Sequence, residues 1–188
     1  NDNISGVAVS AILAKILTKI NTYYSYRFIF IPETIGAITW LSKNIKNISK
    51  IKHGLVITCV GNGNNLTYKK TRDGDSIIDN VVIETLEKSG KNFKIQEFYP
   101  FGSDERQFCS PGINLPVGVL MRTPYYEFKE YHTADDNLKI IKKKWLNDSL
   151  ITLCKIISKL ENEKNSENPK NKKIIELKYD TYLNLNPK

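Results

Sequence analysis

The chain has 188 residues, 40% hydrophobic and 10% aromatic, with a formal net charge of +8. That is enough for one substantial core and too short for two, so a single domain is expected. The charge is uneven: residues 139–188 carry twelve lysines against six acids, accompanied by Asn, Glu and Ser rather than aromatics and arginines, which argues for a solvated helix and tail and against a nucleic-acid face.

The elements follow in chain order. After a polar opening with capping residues Asp2, Asn3 and Ser5, "SGVAVSAILAKILTKI" has the apolar period of a helix. "YRFIFI" (26–31) is aromatic and β-branched, a buried strand ended by Pro32. "TIGAITWLSKNI" is helical, and "HGLVITCVG" (53–61) is a second buried strand stopped by "GNGNN". "LTYKKT" alternates and predicts a half-exposed strand.

"DSIIDNVVIETLEKSG" is a marked amphipathic helix, capped by Asp75 or Ser76 and closed by Gly90. "FKIQEF" and "NLPVGVLMR" (114–122) are further strands. From Asp135 or Asp136 a long helix is expected to reach about Leu160, with Trp145, Leu146, Leu150, Leu153 and Ile157 inward. Residues 161–188 divide into a low-complexity linker, "ENEKNSENPKNKK", and a closing segment that reads as one more strand, leaving residues 1–160 as the domain. Apolar strands separated by amphipathic helices imply an α/β, three-layer αβα sandwich, with chemistry in the loops after residues 31, 61, 98 and 122.

Cys59, Cys109 and Cys154 are odd in number, widely spaced and without a CxxC pair, against both a disulfide framework and a thiolate zinc site. No stretch has the length and apolarity of a membrane span and the opening lacks signal-peptide order, so a cytoplasmic location is expected and the sequon at Asn65 carries no weight.

The expected strand-end loops hold Glu33, Asn62, Asp104, Glu105, Arg106 and His132, with Asp2 at the front of the first helix. A hydrolytic zinc site needs imidazoles and carboxylates converging from separate loops, plus one unligated carboxylate as base. Each residue also has a structural reading: Asp2 as a helix cap, Glu33 as a first-turn acid, His132 bonded to Asp136, and Arg106 paired with Asp104 or Glu105.

Taken together, "NDNISG" (1–6), "FIFIPETIGAI" (28–38), "CVGNGN" (59–64), "GSDERQFCSPGINLPVGVLMRTPY" (102–125) and "YHTADDNL" (131–138) resemble the bacterial aminopeptidase-like domain family. That family is often encoded with polysaccharide-biosynthesis genes and is related to zinc aminopeptidases of the leucyl-aminopeptidase type. The resemblance implies a zinc-exopeptidase-like mixed sheet whose first strands lie upstream, and a winged-helix domain downstream.

It also implies Asp2 and His132 as metal ligands and Glu33 as the general base. Thr34 falls where the zinc enzymes have a second Glu ligand, and no carboxylate stands near Thr58 where they have an Asp ligand. One zinc at most is therefore expected, its further His ligand upstream, with His53 a poor substitute. The loop 103–108 becomes a wall of the substrate pocket, with Asp104 or Glu105 for an amine or sugar hydroxyls and Arg106 for a carboxylate or phosphate.

The expected activity is metal-dependent hydrolysis of an amide or peptide-like bond in a peptide-like or glycan-precursor substrate. The alternative is a peptidase fold that has lost turnover and serves as a binding or scaffold module.

Overall fold

The structure is a computed structural model that describes residues 1–167, with side chains to residue 163. Four strands form one mixed sheet: β1 (Gly54–Ile57), β2 (Leu66–Lys69), β3 (Phe93–Gln96) and β4 (Val117–Met121), in the order β1-β4-β2-β3. β1 and β4 are parallel, β2 is antiparallel to β4, and β3 is parallel to β2.

Strand alternation sends the side chains to two differently covered faces. Tyr68, Leu66 and Leu120, with Leu55 and Ile57, pack on α1 (Ile4–Leu17), α3 (Ile77–Glu87) and α5 (Lys143–Glu167) through Val9, Leu13, Ile78, Val82, Leu150 and Leu153. The other face, Val56, Val117, Val119 and Met121, meets Trp40 and Leu41 of α2 (Ile35–Asn44), Phe108 of the short α4 (Glu105–Phe108), Cys109 and Phe128. Helices or loops thus cover both faces of the sheet, giving the three layers expected.

Gly118 has a packing reason. A Cβ there would sit 2.3 Å from the Tyr68 hydroxyl, so only glycine lets that ring lie across β4. The hydroxyl then donates to Asp79, which is fully buried and also accepts from the Thr71 amide and hydroxyl and from the Ser76 amide. Ser76 and Asp79 form the capping box of α3. Burial alone would raise the Asp79 pKa, but the hydrogen bonds from Ser76, Thr71 and Tyr68 outweigh it and hold the carboxyl below its ordinary value.

Four expectations are corrected. Residues 26–31 are not a strand: they find no ladder partner among the described residues, and only Tyr26 and Phe28 lean on the core. β2 is not half-exposed but buried along its length in the sheet interior. It tolerates Lys69 because the ammonium is bonded to Glu105 at 2.7 Å and to the carbonyls of Tyr99 and Phe101 at 2.5 and 2.6 Å.

β3 runs opposite to β1 and β4, so the loop after it leaves from the other edge and returns across the sheet. Finally, α5 begins at Lys143 rather than Asp136 and continues to Glu167, seven residues past Leu160. Asp136 is engaged elsewhere, as described below. The first part of the expected linker, residues 161–167, is thus helical, and its remainder and the expected closing strand lie outside the described residues.

Two stability experiments follow. Asp79→Ala leaves buried donors unmatched and is expected to cost about 3 kcal/mol or more in urea denaturation at neutral pH. Because the native pKa is lowered, that contribution is present above the ordinary Asp range and is lost as pH falls through the native value, so wild type and variant converge in acid. Lys69→Met strands Glu105, which has no solvent exposure, and should cost about 3–5 kcal/mol. Lys69→Met with Glu105→Leu should recover a large part of it.

Candidate functional site

The site is built from the first six residues. β1 ends at Ile57 and leaves the amides of Cys59, Val60 and Gly61 without strand partners. Asn3 Oδ1 accepts from Cys59 at 3.2 Å, Ser5 Oγ from Val60 at 3.0 Å, and Asn1 Oδ1 from Gly61 at 3.0 Å. Asn3 also caps α1 through the Gly6 amide and donates to the Ile57 carbonyl. Gly6 is required by the close approach, since a Cβ there would stand 2.2 Å from that carbonyl.

Between these anchors Asp2 is held over the sheet edge. Its carboxylate lies 3.3 Å from His132 Nε2 and 3.7 Å from the Cys59 thiol, and the Asp2–Asn3 peptide is cis. The backbone nitrogens of Asn1 and Asp2 bond the two carboxylate oxygens of Asp136, at 2.5 and 2.9 Å. Asp136 therefore ties the His132 loop to Asp2 instead of capping α5. His132 has a left-handed backbone, φ 55°, and stacks on Tyr131 at 3.9 Å.

Glu33 stands in the turn before α2. Its carboxyl is raised above the ordinary range, first by partial burial and then by the charges of Asp104 and Asp2, against the lowering effects of a Ser103 hydrogen bond and of Arg106. The next residue, Thr34, has φ 61°, a costly conformation for a β-branched side chain. Asp104 accepts from its amide at 2.7 Å and Arg106 donates to its hydroxyl at 2.9 Å, so the loop 104–106 clamps the turn that presents Glu33.

Asp2, Glu33 and His132, with Asp104 and Arg106, are thus gathered in one region. Glu105 faces elsewhere: it has no exposure and is bonded to Lys69. His53 precedes β1, at the opposite end of that strand from Cys59, and packs on Tyr24. Asn62 donates to Thr123 and shapes the neighbouring loop. Sequence reasoning did not single out Ser103, Tyr131 or Cys59 as neighbours of the site.

The residues present fit zinc in part. Zinc with bonds of about 2.0–2.1 Å has tetrahedral edges of about 3.3–3.4 Å, which matches the Asp2–His132 separation. Among the described residues, however, no group of three or more His, Cys, Asp or Glu side chains is placed to hold a metal ion. Thr34 and Thr58 offer only hydroxyls where further carboxylates would serve.

Comparison with known proteins identifies the fold. A Clostridium acetobutylicum protein named for polysaccharide biosynthesis with an aminopeptidase-like domain is 50% identical over all 188 residues, which make up 39% of its length. A crystal structure of a Clostridium acetobutylicum protein described as a peptidase superposes with a TM-score of 0.84 at 52% identity, over 86% of this chain and 38% of that one. The aminopeptidase of Aneurinibacillus sp. strain AM-1 superposes at 0.72 with 21% identity, over 85% of this chain and 39% of that one. A zinc aminopeptidase from Bacillus subtilis gives 0.72 with 19% identity, over 85% and 42%. The last two share the fold. The chain spans about two fifths of the length of these relatives. Residues 1–163 match the family described as Domain of unknown function (DUF4910), and the chain belongs to that family, whose fold is that of the aminopeptidases.

Proposed function

We propose that this chain is the aminopeptidase-like part of a metal-dependent hydrolase that cleaves an amide or peptide-like bond. The observation that carries the reading is the Asp2–His132 pair at 3.3 Å with the raised carboxyl of Glu33 beside it. Asp2 and His132 would hold one zinc, and the further ligand would come from the longer polypeptide. Zinc, when bound, supplies a Lewis acid for the scissile carbonyl and acidifies a bound water.

The residues of the chain do the rest. Glu33 takes the proton of the attacking water and returns it to the amine as the C–N bond breaks, leaving an acid and an amine. Ser103 and the clamped Thr34 fix where its carboxylate stands. Asp104, with one oxygen on the Thr34 amide, offers the other to a substrate amine, and Arg106 has donors left for a carboxylate or phosphate. Glu105 acts at a distance, by holding this loop to Lys69.

A surface-glycan precursor as substrate is supported by the name of the curated relative. The three buried cysteines, none in a disulfide, suit a reducing cytoplasm, and no described helix is long and apolar enough to cross a membrane. One observation favours the second reading, a binding or scaffold module without turnover: the chain offers two ligands and hydroxyls in place of further acids.

Elemental analysis of the full-length protein separates the two. About one zinc per chain, lost in Asp2→Ala, together with aminoacyl-amide hydrolysis that falls about 10²-fold or more in Glu33→Gln, would support the hydrolase. A folded protein without metal or turnover would support the module. Since Glu33 must be ionised to act and its pKa is raised, the acidic limb of kcat/KM should lie above the ordinary Glu range. For stability the sign reverses: an ionised carboxylate with a raised native pKa costs stability above that pKa. Glu33→Gln is therefore expected to raise the melting temperature at pH 8 by about 1–2 °C and to leave it unchanged at pH 4.

A further inference from the structure

Beside the candidate site Tyr99 and Phe101 and the residues after β4 line an open cavity of about 320 Å³, at the small end of ligand pockets. Its walls are Tyr99, Phe101 and Tyr125, its floor includes Met121, and Gln96, Glu97 and Glu127 stand around it. Tyr99 and Phe101 are 64% and 49% exposed, so two aromatic faces are offered to solvent.

The aromatic surface continues to the candidate metal ligand. Phe101 meets Tyr126 with centroids 6.1 Å apart, Tyr126 meets Tyr131 at 4.9 Å, and Tyr131 stacks on His132. Tyr126 is itself 67% exposed and is held at φ 64°. On the other side Phe101 is two residues from Ser103, which bonds Glu33. A ligand seated on these rings lies next to the proposed catalytic groups.

The charges decide what kind of ligand fits. Aromatic faces with two carboxylates would ordinarily suit an ammonium group. Here, however, Glu97 is paired with Lys70 at 2.7 Å, Glu127 with Lys94 at 3.0 Å, and Lys69 with Glu105. No net charge is left to attract a cation or an anion. An apolar side chain fits the rings but would strip water from the Gln96 amide and the ion pairs without replacing their hydrogen bonds. A pyranose ring satisfies both parts: its C–H faces lie on the aromatics and its hydroxyls reach the amide and carboxylates.

We propose that this cavity is a sugar-ring subsite, so that the substrate of the proposed hydrolase is a glycosyl-bearing amide. The inference rests on that hydrolase reading for its place in a reaction, but its binding step does not. Saturation-transfer NMR with free N-acetylglucosamine, N-acetylgalactosamine and glucose tests it on the full-length protein. The expected result is transfer to ring C–H protons of at least one sugar, reduced threefold or more in both Phe101→Ala and Tyr99→Ala, whose melting temperatures should stay near wild type because both rings are exposed. Glu33→Gln should leave the signal unchanged.

No transfer from any of the three sugars, transfer untouched by both substitutions, or complete displacement by leucinamide would overturn the subsite. Sugar binding that persists in a protein without metal or turnover would defeat the hydrolase reading and leave the subsite standing.

Discussion

The site depends on three hydrogen bonds between side chains and backbone. Asn1, Ser5 and Asn3 accept from Gly61, Val60 and Cys59, three successive amides released where β1 ends. Buried amides left unbonded would each cost about 1–3 kcal/mol, so the start of α1 is fixed to the sheet wherever the sheet goes. Asp2 lies inside that hold, and Asp136 carries it on to the His132 loop. The second half of the site is fixed in the same manner, by Asp104 and Arg106 on Thr34. In both halves a neighbour of the chemical residue bears the strain or the bonds, and the chemical side chain remains available.

The fold was legible where local pattern and tertiary packing agree. The period of α3 and its Ser76–Asp79 box needed nothing from elsewhere. β2 was misjudged because Lys69 looks like an outward residue until its partner Glu105, thirty-six positions away, is known. Residues 26–31 have strand composition, but a ladder is a property of two segments. Asp136 reads as a helix cap and is taken instead by backbone nitrogens more than 130 residues distant.

The candidate site was legible as a set of motifs more than as an arrangement. "NDNISG", "PET" and "YHT" pointed to Asp2, Glu33 and His132, and the structure brings these together. The motif could not tell Asp104 from Glu105. The difference lies in side-chain direction on one short turn: one faces Thr34 and the other the sheet interior. Nor could it show Ser103 or Tyr131 as neighbours, since a serine and a tyrosine carry no signal without their distances.

The hold on β1 also divides the opening segment by role. It engages the backbone amides of residues 59–61 and depends on the side chains at 1, 3 and 5, while the missing side chain of Gly61 lets Ser5 approach, since a Cβ there would stand 3.1 Å from that of Ser5. Odd positions of the opening segment are therefore answerable to architecture, and position 2 is left to the candidate site. Replacing Asp2 alone therefore leaves the frame around it in place, because none of the three bonds passes through the Asp2 side chain.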